Sequence, residues 1–238
     1  SFKTIGLVEI LQNFIFYLLI LLLPTQLGKH FWPDFSYING LRVDYLSPTI
    51  YFTDLLIFLL FIFYLSKMLS NLSRLGHLKN LWLIAPATIF LFSVSWLAQN
   101  STLSFLKLLK IFELIFLGWF VSKNLGKTIK LSTIISLLSI TVFYESILAI
   151  WQFVQQSSAG GFWWLLGERT FNSSTPFIAQ AIINGQLILR SYGTFPHPNV
   201  LGGYLAVVLP LILFFGCHCE PRFNRGVAIS FRGFLRLL

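Results

Sequence analysis

Residues 131–153 read LSTIISLLSITVFYESILAIWQF, a run with a single Asp, Glu, Lys or Arg, Glu145. About twenty apolar residues are needed to cross the hydrocarbon core of a bilayer, so this run is long enough to span. Trp151 near its end suits an interfacial anchor. Working outward, Lys123, Lys127 and Lys130 precede it, whereas residues 154–198 that follow carry only Arg169 and Arg190 as basic residues. Runs of similar length lie at about 5–23, 49–66, 81–98, 103–122 and 199–216. Each ends in charge, Pro, Gly or Asn, and Tyr51, Tyr64, Trp82, Trp96 and Trp119 fall near their ends.

The basic residues then set an orientation, because short cytoplasmic loops carry the excess of Lys and Arg. With six spans, eleven Lys and Arg fall on one side: Lys3, Lys67, Arg74, Lys79, Lys123, Lys127, Lys130, Arg222, Arg225, Arg232 and Arg236. Four fall on the other, namely Lys29, Arg42, Arg169 and Arg190, while Lys107 and Lys110 lie inside the fourth span. The sequence thus predicts an all-α polytopic membrane protein of about six transmembrane helices. Both termini are cytoplasmic, and two long loops, 24–48 and 154–198, face outward. Residues 1–216 form the membrane domain and 217–238 a basic cytoplasmic tail.

Composition agrees. Hydrophobic residues make up 56% of the 238 and charged residues 11%, and mean hydropathy is +0.77. A soluble domain carries roughly a quarter charged residues, so lipid is the main solvent of this surface. That leaves no room for a separate soluble catalytic domain. The net charge of +9 is spread between apolar runs rather than clustered, which reads as topology and not as a nucleic-acid surface. Cys217 and Cys219 are too close to staple a loop, and Cys217-His218-Cys219 is too tight to chelate a metal. The first apolar run is too long for a signal peptide and lacks a small-residue cleavage site, so it reads as a retained helix. No P-loop, dinucleotide fingerprint or hydrolase elbow is present.

The outward loops hold the remaining local signals. Ile38-Asn39-Gly40-Leu41 is a tight-hairpin signal. Gly160-Gly161-Phe162-Trp163-Trp164-Leu165-Leu166-Gly167 is too short to span and suits an interfacial or re-entrant segment, and a second apolar stretch runs from Pro176 to Leu189. Loops this long with apolar content are usually functional. In the tail, Arg225, Arg232 and Arg236 mixed with Phe and Leu fit a surface helix on anionic lipid. The tail also resembles peptides translated from repetitive DNA at broken gene ends, which makes a non-native ending the alternative.

The segment Arg190-Ser-Tyr-Gly-Thr-Phe-Pro-His-Pro-Asn199, followed by Gly202-Gly203, is the most specific in the chain. Pro196 and Pro198 hold His197 in extended backbone. Asn199 is expected to N-cap the last helix, leaving amide donors at its outer end; with Arg190 nearby this makes an anion site. Gly202 and Gly203 allow close approach by a neighbouring helix or a ligand. The blander alternative is that Arg190 snorkels to headgroups and the prolines only start a helix. Lys107 and Lys110, placed where positive charge is disfavoured, are expected to line an outward basic pocket with Arg169 and Arg190, since intramembrane charge is usually functional. The alternative there is that Lys110 pairs with Glu113 while Lys107 snorkels. Glu145 is expected to pair with a basic residue or relay a proton, and Glu9 and Asp54 to be interfacial.

Gly185-Gln186-Leu-Ile-Leu-Arg190, Tyr192-Gly-Thr-Phe-Pro-His-Pro-Asn199 and Gly202-Gly203 resemble the O-antigen ligase/polymerase family of bacterial envelopes. The likeness extends through Trp151-Gln152-Phe153 to Leu27-Gly28-Lys29-His30-Phe31-Trp32-Pro33. It implies a multi-pass enzyme of the bacterial cytoplasmic membrane. Such an enzyme moves a glycan from a polyprenyl-diphosphate carrier to a lipid or glycan acceptor, without metal or cofactor. On that resemblance Arg190 contacts the diphosphate, joined from topology by Arg169, Lys107 and Lys110. His197 is the catalytic candidate, and Tyr192, Gly193, Pro196, Pro198, Asn199, Gly202 and Gly203 shape the site. Family members carry further spans and a second large outward loop with a histidine proposed as base, so the chain is expected to be a truncated member. Two other readings compete: a transporter or flippase subunit for a lipid-linked sugar, and an inert fragment.

Overall fold

The computed structural model describes residues 2–43, 46–69 and 81–217. Among the described residues the chain is mostly helical, with seven α-helices. In order these are α1 (Phe2–Leu21), α2 (Phe52–Leu69), α3 (Leu81–Leu97), α4 (Ser101–Asn124), α5 (Leu131–Gln155), a single turn α6 (Phe162–Leu165) and α7 (Pro198–Cys217). Among the described residues, two helices, Leu131–Gln155 and Pro198–Gly216, are long and apolar enough to cross a membrane; Gly6–Leu21 is a shorter apolar helix. The tail beyond Cys217, with Arg222, Arg225, Arg232 and Arg236, and the basic residues Arg74 and Lys79 lie outside the described residues.

The expectation of an all-α chain is corrected by six short strands among the described residues, five of them in the two long loops and one, Thr49–Tyr51, at the start of the predicted second span. They are β1 (Gly28–His30), β2 (Tyr37–Ile38), β3 (Leu41–Arg42), β4 (Thr49–Tyr51), β5 (Gln180–Ile183) and β6 (Gln186–Leu189). They form three antiparallel pairs, β1–β4, β2–β3 and β5–β6. Asn39 (φ 50) and Gly40 (φ 78) both occupy the left-handed region, as a two-residue hairpin requires, and Ile38 pairs with Leu41 as the Asn-Gly signal predicts. Asn184 (φ 52) and Gly185 (φ 78) repeat the same turn between β5 and β6. Thr49–Tyr51 pairs with Gly28–His30, so α2 begins at Phe52 rather than at residue 49. Asp54 Oδ2 accepts the Tyr51 amide at 2.7 Å and fixes that start.

The described residues divide into two compact units, those within 1–129 together with 165–167, and those within 130–164 and 168–238. In the first, α1 packs on α2, α3 on α4 and α2 on α4. Phe16 and Leu60 are buried there, and Phe120 closes an aromatic group with Phe16, Tyr64 and Phe116. Lys67 Nζ bonds Glu9 Oε2 at 3.3 Å.

In the second unit α5 packs on α7, and α5 is amphipathic in the inverse sense. Thr141, Glu145 and Gln152 are completely buried, whereas Phe143, Ile147, Ile150 and Val154 are exposed, Phe143 at 68%. A water-facing helix puts its polar stripe outside. Here the polar stripe faces protein and the apolar stripe faces outward, the arrangement favoured when hydrocarbon is the solvent.

Candidate functional site

The buried polar stripe of α5 is what holds the 190–199 segment. Gln152 sits at the centre. Its Oε1 accepts the amides of Tyr192 at 2.9 Å and Gly193 at 2.8 Å, while its Nε2 donates to the Gly193 carbonyl at 3.0 Å and to Glu168 Oε1 at 2.9 Å. Two turns earlier, Glu145 accepts the Thr194 hydroxyl on Oε1 at 2.6 Å and the Thr194 amide on Oε2 at 3.0 Å. Ser191 Oγ donates to the Ala149 carbonyl at 2.6 Å. The amides of Tyr192, Gly193 and Thr194 and the carbonyl of Gly193 are thus met by side chains of that helix, as burial in an apolar setting demands.

Glu168 extends the network to the loop after α5. Besides Gln152, it accepts the amides of Ala159 on Oε1 and Gly160 on Oε2, both at 2.7 Å. Leu189 N donates to Gln156 Oε1 at 2.7 Å, which ties β6 to the end of α5. At Gly193 (φ +60) a side chain would be strained, and an added Cβ would also displace Glu145 Oε2. Tyr192 is buried with Phe171 and Leu189; its hydroxyl accepts the Ala179 amide at 2.7 Å, and its ring lies 6.1 Å from that of His197. Tyr192 is therefore the post on which the segment turns, rather than a surface contact. Farther along, Phe195 packs on Tyr204 at 5.2 Å, and the Tyr204 hydroxyl bonds Thr141 Oγ1 at 2.5 Å.

What this scaffold presents is Arg190, His197 and Asn199, all exposed. Arg190 Nη2 donates to Asn199 Oδ1 at 2.8 Å. The expected N-cap is corrected. Pro198 is the first helical residue, a position that suits proline, so the cap falls on His197 and not on Asn199. His197 Nδ1 accepts the Asn199 amide at 3.2 Å, and the His197 carbonyl accepts the amides of Val200 at 3.0 Å and Leu201 at 3.3 Å. With proline lacking an N–H, the first amides of α7 are all engaged, and the expected free donors at its outer end are not there. The anion-binding capacity rests on side chains instead.

The same bond bears on the role of His197. Accepting through Nδ1 requires the neutral ring to carry its proton on Nε2. The ring thus offers a donor outward, not the lone pair that a general base needs. Gly202 and Gly203 are also corrected as intramolecular contact points, since an added Cβ at either would meet nothing within 4 Å. Pro196 is exposed and Pro198 buried at the helix start.

The basic residues expected to share one pocket have different fates. Arg169 and Arg190 belong to the second unit and Lys107 and Lys110 to the first. Arg169 and Lys107 are exposed and have no hydrogen-bond or ion-pair partner among the described residues. Lys110 is corrected as a diphosphate ligand. It forms ion pairs with Asp54 and, at 3.7 Å, with Glu113, and its ammonium lies 5.6 Å from the centre of the Tyr51 ring. Two carboxyl groups around one amine repel an anion. The expected pairing of Glu145 with a basic residue is likewise corrected: among the described residues it accepts the hydroxyl and amide of Thr194 and forms no ion pair, because the segment it faces offers those donors there. Among the described residues no group of three His, Cys, Asp or Glu is placed to hold a metal ion.

Gln152, Glu168 and Thr194 were not expected as site residues. Thr141, Glu145 and Gln152 fall on one helical face, separated by four and seven residues, and that polar stripe within an apolar run was the available signal. Comparison with protein-family models, curated proteins and solved structures yields no match.

Proposed function

We propose that the chain acts on lipid-linked glycan in the bacterial cytoplasmic membrane, as a transferase of the O-antigen ligase/polymerase kind that takes its donor from a polyprenyl diphosphate. The six-span, multi-pass topology with cytoplasmic ends rests on the charge asymmetry and on helices at the positions of the six apolar runs. The observation that carries the functional reading is the 190–199 segment itself. Buried Gln152 and Glu145 lock its backbone, and it presents the Arg190 guanidinium, tied through Asn199 to the α7 cap, with the His197 Nε2–H one side chain away. A rigid pair of donors suits a leaving group that gains charge.

In the reaction proposed, the oxygen of an acceptor hydroxyl attacks the anomeric carbon of the donor sugar. The bond from that carbon to the diphosphate oxygen breaks and the diphosphate leaves with the electron pair. Arg190 and His197 stabilise that developing charge, a term that grows in the transition state. The acceptor proton passes to a base other than Glu145 or Glu168, whose oxygens are all engaged.

The test is binding of a polyprenyl-diphosphate sugar to the purified protein, with Arg190→Ala beside it. Charge-assisted hydrogen bonds contribute about 1.5–3 kcal/mol, so the variant should lose about tenfold or more in affinity. Equal affinity in both proteins would remove Arg190, and with it this reading.

A further inference from the structure

The stretch 176–189, PFIAQAIINGQLIL, contains no Asp, Glu, Lys or Arg, yet it exposes Phe177, Ile182, Ile183 and Leu187. In the β5–β6 hairpin Ile182 pairs with Leu187, Ala181 with Ile188 and Ile183 with Gln186. Cross-strand partners share a face and successive residues alternate. Ile182 and Leu187 therefore lie on one face, and Ile183 lies on the other with Ala181 and Ile188. Ile182 is 74% exposed, Leu187 65% and Ile183 44%. Phe177, just before the hairpin, is fully exposed, and its backbone is left-handed (φ 62), a conformation uncommon for a bulky residue. The next two residues, Ile178 and Ala179, pack on Phe171, Leu189 and Tyr192. The chain thus turns Phe177 outward at the point where its neighbours turn in.

Two observations say what covers these side chains. The hairpin is apolar on both faces; a protein laid on one face leaves the other in water, whereas lipid surrounds both. Its base is also fixed at the end of α5, where Leu189 N donates to Gln156 Oε1 at 2.7 Å. That helix is long and apolar enough to cross a membrane, and Gln156 is its C-cap. The hairpin therefore springs from the level at which α5 would leave the hydrocarbon. We infer that β5–β6, with Phe177, is a membrane-inserted hairpin whose partner is the lipid at the boundary between acyl chains and headgroups on the outer face. A two-stranded sheet leaves N–H and C=O groups open along its outer edges, which the hydrocarbon centre penalises, so insertion is shallow. The inference rests on α5 crossing the membrane and not on the transferase reading.

The experiment attaches a nitroxide to single cysteines in the purified chain, with Cys217→Ser and Cys219→Ser as background, in vesicles of phosphatidylethanolamine and phosphatidylglycerol. Electron paramagnetic resonance reads collisions with oxygen, which concentrates in lipid, and with a nickel chelate confined to water. The oxygen-to-chelate ratio at Ile182→Cys and at Ile183→Cys, one on each face, should exceed several-fold that at Ser173→Cys, an exposed polar position of the same loop. All three positions are exposed or partly so, and a label there leaves the core intact. A ratio at either hairpin position no higher than at Ser173→Cys overturns the inference. Shielding from both reagents means cover by protein and overturns it as well. Phe143→Cys, on the exposed apolar stripe of α5, separates the two levels of failure. Lipid exposure there with a failed hairpin leaves α5 as a span and removes the hairpin alone, whereas chelate access at Phe143→Cys removes both.

Discussion

Replacing Gln152 by leucine keeps nearly the same volume and removes four hydrogen bonds at once. The Tyr192 amide, the Gly193 amide and the Gly193 carbonyl lose their partner, and Glu168 keeps only the amides of Ala159 and Gly160. Tyr192 is 4% exposed and Gln152 fully buried, so water cannot replace the amide side chain without the segment lifting off α5. Each orphaned buried backbone group costs about 1–3 kcal/mol. Three of them place the loss at about 3 kcal/mol even at the lower bound. At 1.4 kcal/mol per decade that is roughly a hundredfold rise in the population of the open segment. Amide hydrogen exchange on the purified protein reads this directly, because exchange follows local opening. The amides of 192–194 should exchange about a hundred times faster in Gln152→Leu, with the middle of α7 unchanged. If they exchange within a few-fold of the parent chain, Gln152 does not hold the segment, and α5 does not build the site.

Gly193→Ala should be more harmful than an ordinary surface change. The left-handed backbone costs an L-residue about 1–2 kcal/mol, and the new methyl group also displaces the Glu145 carboxylate from Thr194; a lowered midpoint of thermal unfolding checks it, and an unchanged midpoint refutes it. Gln12→Leu should act in the opposite direction. Gln12 Nε2 is buried without a hydrogen-bond partner among the described residues, and an apolar side chain of similar size removes that penalty, raising stability by about 1 kcal/mol in denaturant titration. The binding outcome stated for Arg190→Ala stands beside these.

Much of the local structure was legible. Asn39-Gly40 between apolar residues predicts a hairpin because both turn positions need positive φ, and the chain folds that way. Asn184-Gly185 carries the same signal for β5–β6, yet there the apolar length of the stretch masked it. The apolar runs place six helices to within a few residues, except where β4 takes the start of the second. The motif could be recognised as a unit, but not the partners of its members. Asn199 has the composition of a cap, and only the position of Pro198 at the first helical turn hands that task to His197.

By itself the sequence determined that the chain is predominantly apolar, where the helices fall, and that residues 190–199 are the chemically distinctive segment. Each of these follows from local properties: hydropathy over about twenty residues, the distribution of Lys and Arg, and the backbone limits of proline and glycine. Tertiary structure alone decided which polar groups serve the fold and which remain available. Glu145, Gln152 and Glu168 are consumed in holding backbone, Lys110 is enclosed by two acids, and Arg190 is presented. The reason is that a polar side chain in an apolar setting takes whichever partner the fold brings within about 3 Å. Partners separated by some 40 or 50 residues, as Thr194 is from Glu145, leave no mark in local sequence.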